Sequence, residues 1–133
     1  MFHVSASTLR RVLWLDAAAG LGMGLSHLAL TDWLSGLTGL PVTWLQVAVV
    51  VVFGAVALSS WLASRVETPM GGVRVLAVAN FAWVAASLWV AFGAGLALTP
   101  LGLGWVVLQA LFVFVLAELE WAGSRRGARL ATA

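Results

Sequence analysis

Residues 42–63 read VTWLQVAVVVVFGAVALSSWLA, with no Asp, Glu, Lys or Arg from end to end. A bilayer core about 30 Å thick is crossed by about 20 residues of α-helix, so this run is long enough to span it. An apolar run of that length in lipid must be helical, because every backbone amide needs a partner within its own segment. Three further stretches reach the same length, near 12–33, 73–95 and 101–122. Gly36, Gly39 and Pro41 punctuate the first gap, Pro69, Gly71 and Gly72 the second, and Gly93, Gly95 and Pro100 the third. The sequence therefore predicts an all-α protein, a four-helix transmembrane bundle forming a single domain over 1–133.

Composition points the same way. Of the 133 residues, 62% are hydrophobic before the 14 glycines are added, and only 9% are charged. An average soluble domain has about 45–50% apolar residues with glycine included and about 25% charged ones. A water-facing surface cannot be covered with so few charges. The chain has no cysteine, which excludes disulfides, thiolate metal sites and cysteine nucleophiles. Every basic side chain is an arginine, and the Ala/Leu/Val/Gly/Arg-rich, lysine-free composition is that expected of a GC-rich bacterial genome. Seven arginines scattered among apolar runs make no basic face, so nucleic acid is not an expected partner; the lipid bilayer is.

The arginines set the expected orientation. Arg10 and Arg11 precede the first span, Arg65 and Arg74 flank the middle loop, and Arg125, Arg126 and Arg129 follow the last span. The two remaining connections carry none. By the positive-inside rule both termini and the middle loop are cytoplasmic, in a multi-pass protein of the cell inner membrane. Trp14, Trp61 and Trp121 fall at the inner boundary and Trp33, Trp44 and Trp105 at the outer one, as interfacial belts do, while Trp83 and Trp89 lie within the third span. The apolar stretch after Arg10 and Arg11 carries Asp16 and His27 and ends in no small-residue cleavage site, so it is expected to stay as a span rather than leave as a signal peptide. Arg11-Val12-Leu13 and Arg74-Val75-Leu76, Gly39-Leu40 and Gly102-Leu103, and Leu45-Gln46 and Leu108-Gln109 share an offset of 63, the mark of a weak parallel repeat of two hairpins.

Ionisable and polar groups within spans are expensive and each calls for a reason. Asp16, Asn80 and Glu118 all fall roughly 7–10 Å beyond the inner arginines at 1.5 Å per residue, in one layer. One reading of that layer is a proton or cation site, or a polar pocket open to the cytoplasm; the other is a set of hydrogen bonds that locks the bundle. Glu120, nearer the boundary, is expected to be solvated. On the first span Asp16, Gly20, Met23, Gly24 and His27 share one stripe, a GxxxG pair set between an acid and a histidine. That stripe should face another helix, and His27 is either a hydrogen-bonded packing residue or a ligand to haem or a quinone. On the third span Asn80, Trp83 and Ser87 share a face, a helix contact or the wall of a cavity. On the fourth, Gln109 aligns with Glu120 while Glu118 projects the opposite way, and Gln46 and Gln109 are expected to bond across helices. No metal site, nucleotide motif or catalytic triad is legible, and no span carries the continuous polar stripe of a pore.

The strings LWLDAAAG at 13–20, LTGLP at 37–41, NFAWVAASL at 80–88 and LGLGWVVLQA with AELEW over 101–121 resemble a family of small bacterial integral membrane proteins of unknown function. The resemblance runs over nearly the whole chain and implies the four-helix fold and nothing biochemical. The small multidrug transporters share the helix count and size, but their pattern needs a central acid in the first helix, and Asp16 lies near one end. The expected function is a non-enzymatic structural or accessory subunit of an inner-membrane assembly, partnered by other membrane proteins or by its own copies. A small homodimeric carrier of a lipophilic ligand at the Asp16, Asn80 and Glu118 layer is the second expectation, and a haem or quinone protein through His27 the third.

Overall fold

The computed structural model describes residues 3–131, with the side chains of 127–131 left aside. Within it are five helices: α1 (Ala6–Ala29), α2 (Thr31–Thr38), α3 (Val42–Ser64), α4 (Met70–Phe92) and α5 (Pro100–Ala131). Of these α1, α3, α4 and α5 as far as Arg126 are long and apolar enough to cross a membrane. Arg129, counted above among the orienting arginines, lies outside the residues whose side chains are described.

Helix starts follow local chemistry. The Ser5 hydroxyl caps α1 by accepting the Thr8 N–H at 3.1 Å. Pro41 and Pro69 stand at the N-caps of α3 and α4, and Pro100 opens α5. A first-turn amide has no intrahelical partner in any case, so proline is tolerated there.

The first span differs from its expected bounds of 12–33. It begins at Ala6 and stops at Ala29, and the chain turns through Leu30 into the separate short helix α2. No glycine or proline marks this break. The Thr31 hydroxyl instead donates to the carbonyl of His27, with the Leu28 carbonyl at 3.4 Å. Such back-bonding offers the helix carbonyls a partner other than the next amide and bends the chain. Asp32 then sits in the first turn of α2, where a carboxylate complements the helix dipole. At the other terminus α5 continues past the expected 122, and no proline follows Pro100 to stop it.

The helices pair as two hairpins. α1 packs along α3 and α4 along α5, while the α1–α5 and α3–α4 seams are sparser. Gly20 and Gly24 make the first pairing close: a Cβ at Gly20 would stand 2.7 Å from Val56 Cγ2, and one at Gly24 3.1 Å from the Phe53 ring. Two apolar cores close the ends of the bundle. Leu9, Leu13, Leu62, Val73 and Leu76 form one, and Leu40, Leu45 and Val106 the other. The outward faces are equally apolar, with Val47, Val50, Leu108 and Leu111 exposed as a lipid-facing surface requires. The residues 63 apart share environments only in part: Leu13 and Leu76 are both 0% exposed, whereas Leu45 is 2% exposed and Leu108 65%, and Gly39 ends a helix while Gly102 lies in the first turn of one.

α2 is bound to the start of α5 through main-chain atoms. Gly39, at φ 80°, ends α2 in the left-handed region that favours glycine. Thr99 donates its N–H to the Thr38 carbonyl at 3.0 Å and its hydroxyl to the Leu37 carbonyl at 2.7 Å. The same hydroxyl accepts the Gly102 N–H at 3.0 Å. A Cβ at Gly102 would stand 2.7 Å from the Thr38 carbonyl carbon, so only glycine lets the two backbones meet. Gly102→Ala is expected to lower stability by about 1–3 kcal/mol in detergent thermal unfolding. Gly22→Ala, whose Cβ meets open space, should leave stability unchanged or raise it. Equal effects of the two would remove the close approach as a structural requirement.

Candidate functional site

Between the two apolar cores, each long helix contributes one polar side chain to a single knot. Asp16 comes from α1, Ser59 from α3, Asn80 from α4 and Glu120 from α5, and all four are buried. Asn80 Nδ2 donates to Glu120 Oε2 at 3.0 Å. Asn80 and Ser59 also lie beside the Asp16 carboxyl, and Asp16 and Glu120 are close enough for their charges to interact. Ser59 donates its hydroxyl to the Ala55 carbonyl of its own helix at 2.9 Å. The knot is short of donors: Asp16 Oδ2 and Glu120 Oε1 are buried without a hydrogen-bond partner. Leaving a buried polar atom unpaired costs about 1–3 kcal/mol, and more if it is charged.

Asp16 and Asn80 stand in the wall of a cleft between the hairpins, with a cavity volume of about 580 Å³. The rest of its lining is almost wholly apolar, contributed by all four long helices. Val51, Gly54, Leu108 and Phe112 belong both to this lining and to the exposed outer surface, so the cleft opens sideways, toward where lipid would lie. A concave apolar site with a few convergent polar groups is the usual form of a small-molecule pocket.

Further along the bundle a second polar group joins α4 to α5. The Trp83 indole donates to Gln109 Oε1 at 2.8 Å, and Gln109 Nε2 donates to the Ser87 hydroxyl and to the Val106 carbonyl, each at 2.9 Å. Trp83 and Gln109 also line the cleft. His27, 4% exposed, has Nδ1 2.7 Å from the Met23 carbonyl and lines a smaller cavity of about 130 Å³. A carbonyl only accepts, so Nδ1 carries the proton in this contact.

The structure brings Asp16, Asn80 and Trp83 to one cleft and sets His27, Ser87 and Gln109 against the adjoining space. It does not bring in Glu118, which is exposed in a groove with His3, Trp121, Arg125 and Arg126. The acid that turns inward is Glu120, 0% exposed, where a solvated side chain was expected. Its helical phase gave the signal: Glu120 shares a stripe with Gln109, which also faces inward, whereas Glu118 points away. Distance from the boundary weighed against it and was outweighed by phase. Ser59 carried no signal, since a serine among apolar residues bonds its own helix wherever it faces. Gln46 is exposed, and Gln109 bonds Trp83 and Ser87 rather than Gln46.

No protein-family model, curated protein or solved structure matches the chain. A functional reading therefore rests on the geometry of this site. Asn80→Leu takes from Glu120 Oε2 its one donor among the described residues and is expected to cost about 1–3 kcal/mol in thermal unfolding. Glu118→Gln should change stability by less than about 0.5 kcal/mol, as for a surface position. The reverse order would place Glu118, not Glu120, in the polar knot.

Proposed function

We propose that this protein is a non-enzymatic, multi-pass membrane protein that binds, and as a small carrier moves, a lipophilic molecule bearing a cationic nitrogen. The observation that carries the reading is Asp16, a buried acid short of hydrogen-bond donors, in the wall of an apolar cleft. An ammonium or amidinium group supplies donors to the Asp16 carboxyl, and its charge offsets the cost of holding that acid away from water. The apolar lining takes the remainder of such a molecule, and the sideways opening lets it enter from the bilayer. A structural or accessory role, the first expectation from sequence, explains buried polar groups as helix glue but gives no use for an open cleft with unpaired acceptors.

The proposed setting is the inner membrane with both termini in the cytoplasm. Support comes from the arginines. Arg10 donates to the carbonyls of Arg65 and Val66 at 2.8 and 3.1 Å, and Arg65 lies over the Trp61 ring, 4.5 Å from its centre. His3 shares its groove with Arg125 and Arg126, so the basic residues gather at one end of the bundle. The absence of native cysteine makes this easy to test. Ala97→Cys should react with a membrane-impermeant maleimide in intact cells, and Glu67→Cys only after the inner membrane is breached. The opposite labelling would invert the topology.

Binding is tested with dodecylamine on protein in lipid nanodiscs, read by tryptophan fluorescence, since Trp83 and Trp105 line the cleft. Asp16→Asn should weaken binding at least about tenfold while the protein stays folded, as asparagine keeps the size of the side chain and one acceptor oxygen. Unchanged binding in that variant would sink the reading. Native mass spectrometry of gently extracted protein gives the competing outcome: stoichiometric foreign polypeptides on a chain that binds no amine would favour the accessory role.

A further inference from the structure

The cleft has a second polar end. His27 lies eleven residues beyond Asp16 on the same helix, three turns on and on the same stripe, about 16.5 Å away along the axis. Its small cavity and the large cleft share Met23, Trp83, Trp105 and Gln109 in their walls, so the two spaces adjoin without a helix between them. Within this run Gln109 is occupied by Trp83, Ser87 and Val106, and Ser87 is occupied by Gln109. The unspent acceptors are at the ends. At one end is the Asp16 carboxyl, in the cleft wall and short of donors. At the other is His27 Nε2: with Nδ1–H directed to the Met23 carbonyl of its own helix, Nε2 is on the far side of the ring and faces away from α1. In a neutral imidazole that nitrogen accepts a hydrogen bond. A ring held by one nitrogen on a backbone carbonyl is fixed in tautomer and orientation for whatever the other nitrogen meets.

From this we infer that the site is two-ended and that its ligands are elongated lipophiles about 16.5 Å long, the Asp16-to-His27 separation. They carry a cationic nitrogen at the Asp16 end and a hydroxyl or N–H donor at the His27 end. The inference rests on the proposed cleft reading and adds to it a length and a second functional group. Trp44, Trp83 and Trp105 surround the His27 end, which suits a flat or slender terminus and excludes a bulky one. The length discriminates as well: a short amine bound at Asp16 leaves Nε2 unmet, and a neutral alcohol of full length leaves the carboxyls unmet.

The test compares dodecylamine with ω-aminododecanol, whose extended chain matches the separation of the two ends, on the full chain in nanodiscs, with concentrations expressed per lipid. The added hydroxyl is expected to tighten binding about fivefold, the effect of one net hydrogen bond. His27→Phe should erase that gain, so that the two long amines bind this variant equally, and His27→Gln, which keeps an acceptor, should restore part of it. ω-Aminohexanol should gain nothing over hexylamine, because its hydroxyl does not reach. If dodecylamine binds in an Asp16-dependent way but the hydroxyl adds nothing, or its gain survives His27→Phe, the two-ended site is overturned and the amine-binding cleft stands. If neither long amine binds, both fall together.

Discussion

The hydrogen bond from Asn80 to Glu120, with Asp16 alongside, is the constraint on which the middle of this protein depends. It holds two carboxyl groups inside the bundle, where Ser59 is the one other polar side chain the knot contains. Such groups are tolerated within a span only when they are partnered or used. One amide cannot partner both fully: Asn80 serves one oxygen of Glu120 and sits beside Asp16, and an oxygen of each acid is left over. The helices are thus drawn together around a group that remains short of donors. The same interaction that orders the bundle creates its chemical demand.

How the helices pack explains why Asp16 and Asn80 stand in the wall of an open cleft. Glycines draw α1 onto α3, and α4 is joined to α5 by the Trp83–Gln109–Ser87 bonds, so each hairpin is well fitted within itself. The hairpins meet chiefly at their ends. At one end Leu13, Leu62, Val73 and Leu76 form a shared core, and at the other α2 ties the first hairpin to the start of α5 through backbone contacts at Thr38 and Gly102. Closed ends and loosely fitted middles leave the cleft between them. Trp44 stacked on Trp89, 5.6 Å between ring centres, adds aromatic weight to the end that carries α2.

The polar layer was legible in the sequence to the extent that position along a helix decides it. Asp16 and Asn80 fall at the same depth beyond the arginines at the start of α1 and α4, and both are in the knot. For the fourth span depth pointed to Glu118, while the stripe shared with Gln109 pointed to Glu120, and the structure follows the stripe. A helix turns each side chain by a fixed angle, so phase decides which neighbour it meets. A membrane-facing helix is apolar all round, and its hydrophobic pattern gives no independent check of that phase. The break after Ala29 was hidden for a related reason: it depends on Thr31 bonding back to His27, a bond that a threonine can also make within an unbroken helix.

Length, composition and the absence of charge over 42–63 determined that this chain is all-α and has four helices able to cross a membrane. That follows from the sequence alone because an apolar segment of that length has one way to satisfy its backbone in lipid. The sequence likewise marked the gaps between the spans with glycine and proline, whose own backbones disfavour a helix interior. Only the tertiary structure decided the pairing of α1 with α3 and α4 with α5, the inward turn of Glu120 rather than Glu118, and the cleft running from Asp16 toward His27. These depend on which faces of separate helices come together. Side-chain volumes and a few hydrogen bonds across the bundle settle that, and neither has a period along the chain.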